Sequence, residues 1–246
     1  MTRIEIDIHK KAFPTRRLSA EQITIRNLRI DLAADEFVCL VGPSGCGKTT
    51  LLNIVAGLDR DFEGVVRMEP AEATPRIGYV FQNPRLLPWR TVRENIELGL
   101  AKGQSVELVD LLLDTMGLGH VQGQYPQRLS LGMSRRVALV RAFAIQPTLL
   151  LMDEPFVSLD APTARRIRQL LVQVWLERPH TVLFVTHDLR EAIALADRLL
   201  FLSHSPTAVI HEIRVSIPRP EREHESSVEA FRKHILSEYP TIRSLL

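Results

Sequence analysis

Gly42-Pro-Ser-Gly-Cys-Gly-Lys-Thr49 decides how the rest of the chain is read. It follows the apolar run Phe37 to Val41 and precedes Leu51, Leu52, Val55 and Ala56, apolar at helical spacing, with Gly57 placed to stop the helix. A glycine-rich loop between a buried strand and a helix is a P-loop in the context it requires. Gly42, Gly45 and Gly47 let the backbone curl, with Pro43, Ser44 and Cys46 between them, until its amides converge on phosphate oxygens. The helix that opens at Thr49 and Thr50 adds a favourable dipole. Lys48 supplies a compact ammonium to the β and γ phosphates, and the Thr49 hydroxyl is a ligand for Mg2+. At average glycine usage the fixed positions recur by chance in roughly one protein in a hundred of this length, and the flanks lower that further.

Outward from the loop, Leu149-Leu-Leu-Met-Asp-Glu-Pro155 reads as a buried strand that delivers two acids to its carboxyl end, where parallel sheets bind ligands. Asp153 is placed to hold Mg2+ through water, and Glu154 to polarise a water for attack on the γ phosphate. Gln82 after Ile77 to Phe81, and His187 after Thr181 to Thr186, stand at the same kind of edge. Period-2 patterns at Ile4, Ile6, Ile8 and at Leu28, Ile30, Leu32 predict half-buried strands; Leu199 to Ser203 and Val209 to Ile217 are further strands. Residues Thr15 to Asn27 are left between the first two. Helical spacing falls at Leu108 to Leu112, Ile167 to Val174 and Leu189 to Ala196. Thr91 with Glu94, Asp188 with Glu191 and Ser226 with Glu229 have capping-box spacing. Strands alternating with helices predict an α/β fold with a parallel sheet under helices. The middle, from about Thr91 to Ile145, is mostly helical, and polar Arg219 to Ser227 reads as a linker before a short terminal helix.

Composition narrows the function. The 246 residues are 45% hydrophobic and 24% charged, enough for a sizeable core in one or two domains. No apolar run approaches the roughly 18 to 20 residues of a membrane span, and the N-terminus alternates where a secretory signal would be continuously apolar. A cytosolic chain is expected. Cys39 and Cys46 make neither a disulfide framework nor a zinc site. The net charge of +2, mixed along the chain, predicts no nucleic-acid partner. Among 31 basic residues lysine stands only at positions 10, 11, 48, 102 and 233.

Taken together, the residues resemble the nucleotide-binding subunits of ABC transporters, from about Phe13 to the C-terminus. The resemblance rests on Gly42 to Thr49 (Walker A), Gln82 (Q-loop), Leu129-Ser-Leu-Gly-Met133 (signature), Leu149 to Glu154 (Walker B), Ser158-Leu-Asp160 (D-loop) and His187 (H-loop), in that order. It implies an α/β P-loop NTPase of ABC ATPase type, with a mixed sheet core, N-terminal antiparallel strands and an inserted helical subdomain. Residues 1–246 would form one ABC ATPase domain: an ATP-binding core at about 1–90 and 146–218, the helical signature subdomain at about 91–145, and a linker and helix at 219–246.

The same resemblance implies that two subunits pack head to tail, each ATP lying between one P-loop and the other subunit's Ser130 and Gly132, with Asp160 at the nucleotide interface. Glu154 would be the general base, and Lys48 with the P-loop amides would neutralise charge. Thr49, Gln82 and Asp153 would serve Mg2+, and His187 would hold the γ phosphate. Phe13 resembles the aromatic that stacks on adenine; the other reading is packing. Ser130 and Gly132 open an amphipathic helix (Met133, Val137, Val140, Ala144), and Leu131 departs from the family's usual glycine; the retained Ser130 and Gly132 argue for function, and the other reading is that a side chain at the tightest packing point weakens closure.

Asp153-Glu-Pro-Phe156, Val185-Thr-His-Asp188 and Ile217-Pro-Arg-Pro220 look most like importers of nitrate, taurine and alkyl sulfonates. Implied partners are a second copy or a second ATPase subunit, transmembrane permease subunits and a periplasmic or lipoprotein solute-binding protein. The place would be the cytoplasmic face of the inner membrane. Leu86-Leu-Pro-Trp89 is either a docking surface for the permease or core, and Arg135-Arg136 and Arg165-Arg166-Arg168 read as solvated polar faces. The alternatives are a regulatory ATP-binding subunit with impaired turnover, motivated by Leu131, and a soluble non-transport ABC ATPase. The latter usually carries paired cassettes or long coiled-coil insertions, and this chain has neither.

Overall fold

From the N-terminus the chain forms β1 (Arg3–Pro14), β2 (Glu21–Leu32), β3 (Phe37–Val41), α1 (Lys48–Val55) and β4 (Glu63–Glu69). The middle supplies β5 (Ile77–Val80), α2 (Val92–Glu97), α3 (Glu107–Thr115), α4 (Leu131–Ala144), β6 (Leu149–Asp153) and α5 (Ala161–Glu177). The end supplies β7 (Thr181–Thr186), α6 (Leu189–Leu195), β8 (Arg198–Leu202), β9 (Val209–Arg214), α7 (Glu225–Glu238) and α8 (Pro240–Arg243). The computed structural model describes residues 3–14, 21–69, 75–101, 103–104, 106–157 and 159–245. Two compact units divide these elements: Met1–Thr74 with Thr181–Leu246, and Pro75–His180.

In the first unit β3 is flanked by β7 and β8, both parallel to it, and β9 runs antiparallel at the edge of β8. Phe37 to Val41 and Thr181 to Thr186 are buried along their whole length, because both faces of a parallel strand are covered. Phe37 and Phe184 meet edge to face at 6.4 Å. A second sheet, in the order β2-β1-β4, is antiparallel throughout. There Ile4, Ile6 and Ile8 turn inward and their neighbours outward, the alternation that the sequence displays. Two expectations change here. β2 begins at Glu21, opposite Pro14, so most of the stretch read as intervening is strand, and only residues 15–20 fall outside the described residues. β4 has mixed exposure and no clean period, which hid it from sequence reading.

The expected linker is a short 3-10 helix, Arg219–Glu223, that leads into α7 and is anchored by two arginines. Arg222 is buried, its Nε donating to the Ile217 carbonyl at 2.8 Å and Nη1 to that of Ala196 at 2.7 Å. Arg219 Nη2 meets Asp197 Oδ1 at 2.6 Å. Charge in a sequence marks hydrogen-bonding capacity as readily as exposure.

In the second unit β5 and β6 pair in parallel, Ile77 opposite Leu149, and α4 packs against α2, α3 and β5. A Cβ added to Gly78 would lie 2.7 Å from the Ala142 carbonyl, so glycine permits α4 to approach β5 backbone to backbone. From Val137 to Ala144 every residue of α4 is buried except Arg141 and its half-exposed side chain. The expected amphipathic pattern therefore holds only in the first turns. Thr91 and Glu94 form the predicted capping box, Glu94 N–H donating to Thr91 Oγ1 at 3.2 Å and Thr91 N–H to Glu94 Oε2 at 2.7 Å. The other two boxes do not form. Asp188 caps α6 through the Arg190 amide while Glu191 accepts from Thr186 Oγ1, and α7 starts before Ser226, with Glu229 engaged by Arg190 and Arg232.

Candidate active site

The first unit holds the glycine-rich loop that is expected to bind phosphate. β3 delivers the chain at Gly42, where an added Cβ would stand 3.0 Å from Leu202 Cβ. Gly45 and Gly47 have φ of +76° and +116°, the left-handed conformation that aims successive amides to one side. At Gly47 a Cβ would also strike Thr24 Cγ2 at 2.8 Å, so only glycine fits. α1 begins at the next residue, Lys48, and its Nζ donates to the carbonyls of Gly42 and Pro43 at 2.8 Å each. The ammonium is thus curled over its own loop. Ser44 and Thr49 are exposed, and Thr50 is half-buried. Thr207 Oγ1, buried in the turn between β8 and β9, donates to the Cys46 carbonyl and braces the loop from behind. Burial pushes the Cys46 thiol up from its ordinary pKa against the pull of Lys48.

His187 is exposed at the end of β7. Beside it Asp188 N–H donates to Thr186 Oγ1 at 3.0 Å, which fixes the turn. Phe13, near the end of β1, is 41% exposed, with Lys11 Nζ 4.6 Å from its ring centre. Lys11 is buried and also meets Asp59 Oδ1 at 3.0 Å and the Asp61 carbonyl at 2.6 Å. One face of the ring rests on a cation, and the side chain still reaches solvent.

The second unit carries the acids and the signature. Asp153 is buried at the end of β6, and Glu154 follows at φ +44°, directly before Pro155. A non-glycine residue held there, before a proline, stores strain on the order of 1–3 kcal/mol. Arg135 Nη1 donates to the Pro155 carbonyl at 2.9 Å and the Glu154 carbonyl at 3.4 Å. Gln82 is exposed after β5; next to it Phe81 stacks on Tyr79 at 3.9 Å and lies under Arg85 at 4.1 Å. Burial, and then the Asp153 charge, hold the Tyr79 phenol above its usual pKa. Arg141 donates to the carbonyls of Pro84 at 2.8 Å and Arg85 at 3.0 Å.

Ser130 caps α4, its Oγ accepting from Met133 N–H at 3.2 Å, and Leu131 beside it is 48% exposed. Asp160 caps α5 through Thr163 N–H at 3.1 Å, and hydrogen bonding to Thr163, by its side chain first and then by this N–H, holds the carboxyl below the usual range. Ser158 lies outside the described residues. Trp89 is 70% exposed, which removes it from the core reading.

Residues 25–157, more than half of the chain, match the family model described as ABC transporter. The chain belongs to the ABC transporter family. It is an ATP hydrolase of the ABC type, as the motifs led us to expect. The aliphatic sulfonates import ATP-binding protein of Burkholderia cenocepacia is 41% identical to this ABC subunit over 228 residues, 91% of this chain and 84% of that one. The nitrate import ATP-binding protein of Synechococcus elongatus is 39% identical over 237 residues, 92% of this chain and 85% of that one. Among solved structures, a dimeric post-hydrolysis state of an ATP-binding cassette bound to ADP and Pi superposes with a TM-score of 0.78 at 29% identity, covering 87% of this chain and all of that one. The α/β fold of ABC ATPase type, with N-terminal antiparallel strands and a helical stretch between β5 and β6, is as expected.

Sequence reading of this ABC subunit missed Arg135, Arg136, Arg141 and Thr207. The pair Arg135-Arg136, expected in solvent, donates inward: Arg136 Nη1 reaches the Met116 carbonyl at 2.6 Å, and Arg135 the turn after Asp153. Periodicity shows that a helix position is polar; it does not show a carbonyl waiting beneath it. Thr207 carries no local signal, since its partner is 161 residues away.

Proposed function

We propose that this chain is the ATP-binding subunit of an importer for a small anion such as a sulfonate or nitrate, hydrolysing ATP between two copies packed head to tail. The observation that carries the reading is Glu154, set in a left-handed turn immediately after a buried Asp153 at a strand end. That arrangement supports Glu154 as the base for a water attacking the γ phosphate. The curled loop at Gly45 and Gly47 supports phosphate binding, and Lys48 would trade carbonyl partners for phosphate oxygens, so that charge developing in the transition state meets a pre-set cation and amides. Phe13 would stack on adenine. His187 and Ser130 of the second copy would hold the γ phosphate, with Gly132 and Asp160 at the same interface.

Among the described residues no group of three or more His, Cys, Asp or Glu could cage a metal ion. The Asp153 carboxylate at a strand end and the exposed Thr49 hydroxyl are hard oxygen donors of the kind that suit Mg2+, which binds through one or two carboxylates and the substrate's own phosphates. Thr49, Gln82 and Asp153 would hold it, and it would neutralise the β and γ oxygens. The relatives' names support import and the anion class. Exposed Trp89, close after Gln82, supports docking to permease subunits at the cytoplasmic face of the membrane, and a solute-binding protein would deliver the anion.

Glu154→Gln tests the reading. ATP binding should persist, an ATP-bound dimer should accumulate on size exclusion, and hydrolysis should fall by on the order of 100-fold or more. Wild-type turnover in that variant would refute the base.

A further inference from the structure

Arg135 stands in the first turns of α4, the helix that Ser130 caps. Its guanidinium is buried, and its partners among the described residues are the carbonyls of Glu154 and Pro155. Nε, also buried, has no acceptor among the described residues. A cation withdrawn from water onto neutral carbonyls is only partly compensated, so solvation does not explain its placement. The turn it touches needs an outside hold. Glu154 is left-handed before a proline, Pro155 contributes no N–H, and Val157 N–H donates to the Glu154 carbonyl across a long 3.3 Å.

We propose that Arg135 is a positioning residue for hydrolysis: it fixes the Glu154–Pro155 turn and, through that turn, the direction in which the Glu154 carboxylate meets the attacking water. The inference rests on Glu154 as the general base. Nη1 carries two N–H groups, one for each of the adjacent carbonyls. Burial lowers the arginine pKa, yet from so high a value that the group stays charged at neutral pH. The same helix grips the loop after Gln82 through Arg141, so α4 supports both segments from one rigid element.

A double-mutant cycle in the full chain tests this, with Arg135→Met, Glu154→Gln and the pair together. Arg135→Met should lower kcat by on the order of 10- to 100-fold with KM for ATP within about twofold, as misplacement of a reacting group does. The double variant should hydrolyse no more slowly than Glu154→Gln alone. Wild-type kcat in Arg135→Met, or a further tenfold loss in the double variant, overturns the proposal. Wild-type turnover in Glu154→Gln would instead remove the base reading itself, whatever Arg135 does. If Arg135→Met does not fold, Arg135→Gln, which keeps an amide NH2 as donor, serves the same cycle. A parallel loss of ATP binding and kcat in that variant would mark Arg135 as merely structural and overturn the proposal.

Discussion

Cys46 lies inside the glycine-rich loop proposed to bind phosphate, with its side chain buried and its thiol held above the ordinary pKa, desolvation outweighing the nearby Lys48 charge. Alkylation proceeds through the thiolate. A raised pKa means less thiolate at every pH below it, so the labelling rate of Cys46, followed by peptide mapping, should still be climbing where an exposed cysteine levels off above about pH 8.5 to 9. ATP should slow the labelling, because the bound phosphates would cover the loop. A plateau at the ordinary pH would refute the burial argument, and indifference to ATP would separate this loop from the nucleotide. Glu154 shows the same economy in backbone terms: its conformation costs free energy, and neighbouring groups maintain it.

At the scale of elements, α2 is tied to the segment before it by one side chain. Asn95 is fully buried; its Oδ1 accepts from Leu87 N–H at 2.7 Å, and Nδ2 shares its hydrogens among the carbonyls of Leu87, Arg90 and Thr91 at 2.9 to 3.1 Å. Asn95→Ala would strand several of those groups away from water. Urea unfolding should show a loss of about 1–3 kcal/mol, and a change below about 0.5 kcal/mol would mean that the segment rearranges freely. Elements were the most legible part of this chain. Buried runs such as Phe37 to Val41 and alternations such as Ile4, Ile6, Ile8 follow from local chemistry, and each became the expected strand. The site's glycines and acids were legible because phosphate chemistry requires particular residues at fixed spacing. The side chains that hold them were not, because Arg135, Arg141 and Arg222 bind carbonyls brought to them by tertiary folding. Failed capping boxes have the same cause: Glu191 and Glu229 had the right spacing, and other partners claimed them.

At the scale of the molecule, no described helix is long and apolar enough to cross a membrane, and the proposed importer role would be exercised through contacts with other proteins. Leu131 bears on the first of those contacts. It is half-exposed beside Ser130, on the surface proposed to meet a second copy, where an extra side chain overpacks an interface at a cost of about 1–3 kcal/mol. Leu131→Gly should therefore raise ATP hydrolysis in the assembled complex, up to about tenfold. An unchanged rate would show that the interface accommodates leucine. The brace on the nucleotide loop bears on how the molecule is made. β3 is flanked by β7 and β8, and the Cys46 carbonyl is held by Thr207, all supplied by the final third of the chain. On a ribosome the loop emerges early, and its supports are translated only after well over a hundred further residues, so a nascent chain carries the phosphate-binding sequence long before it can carry the phosphate-binding shape.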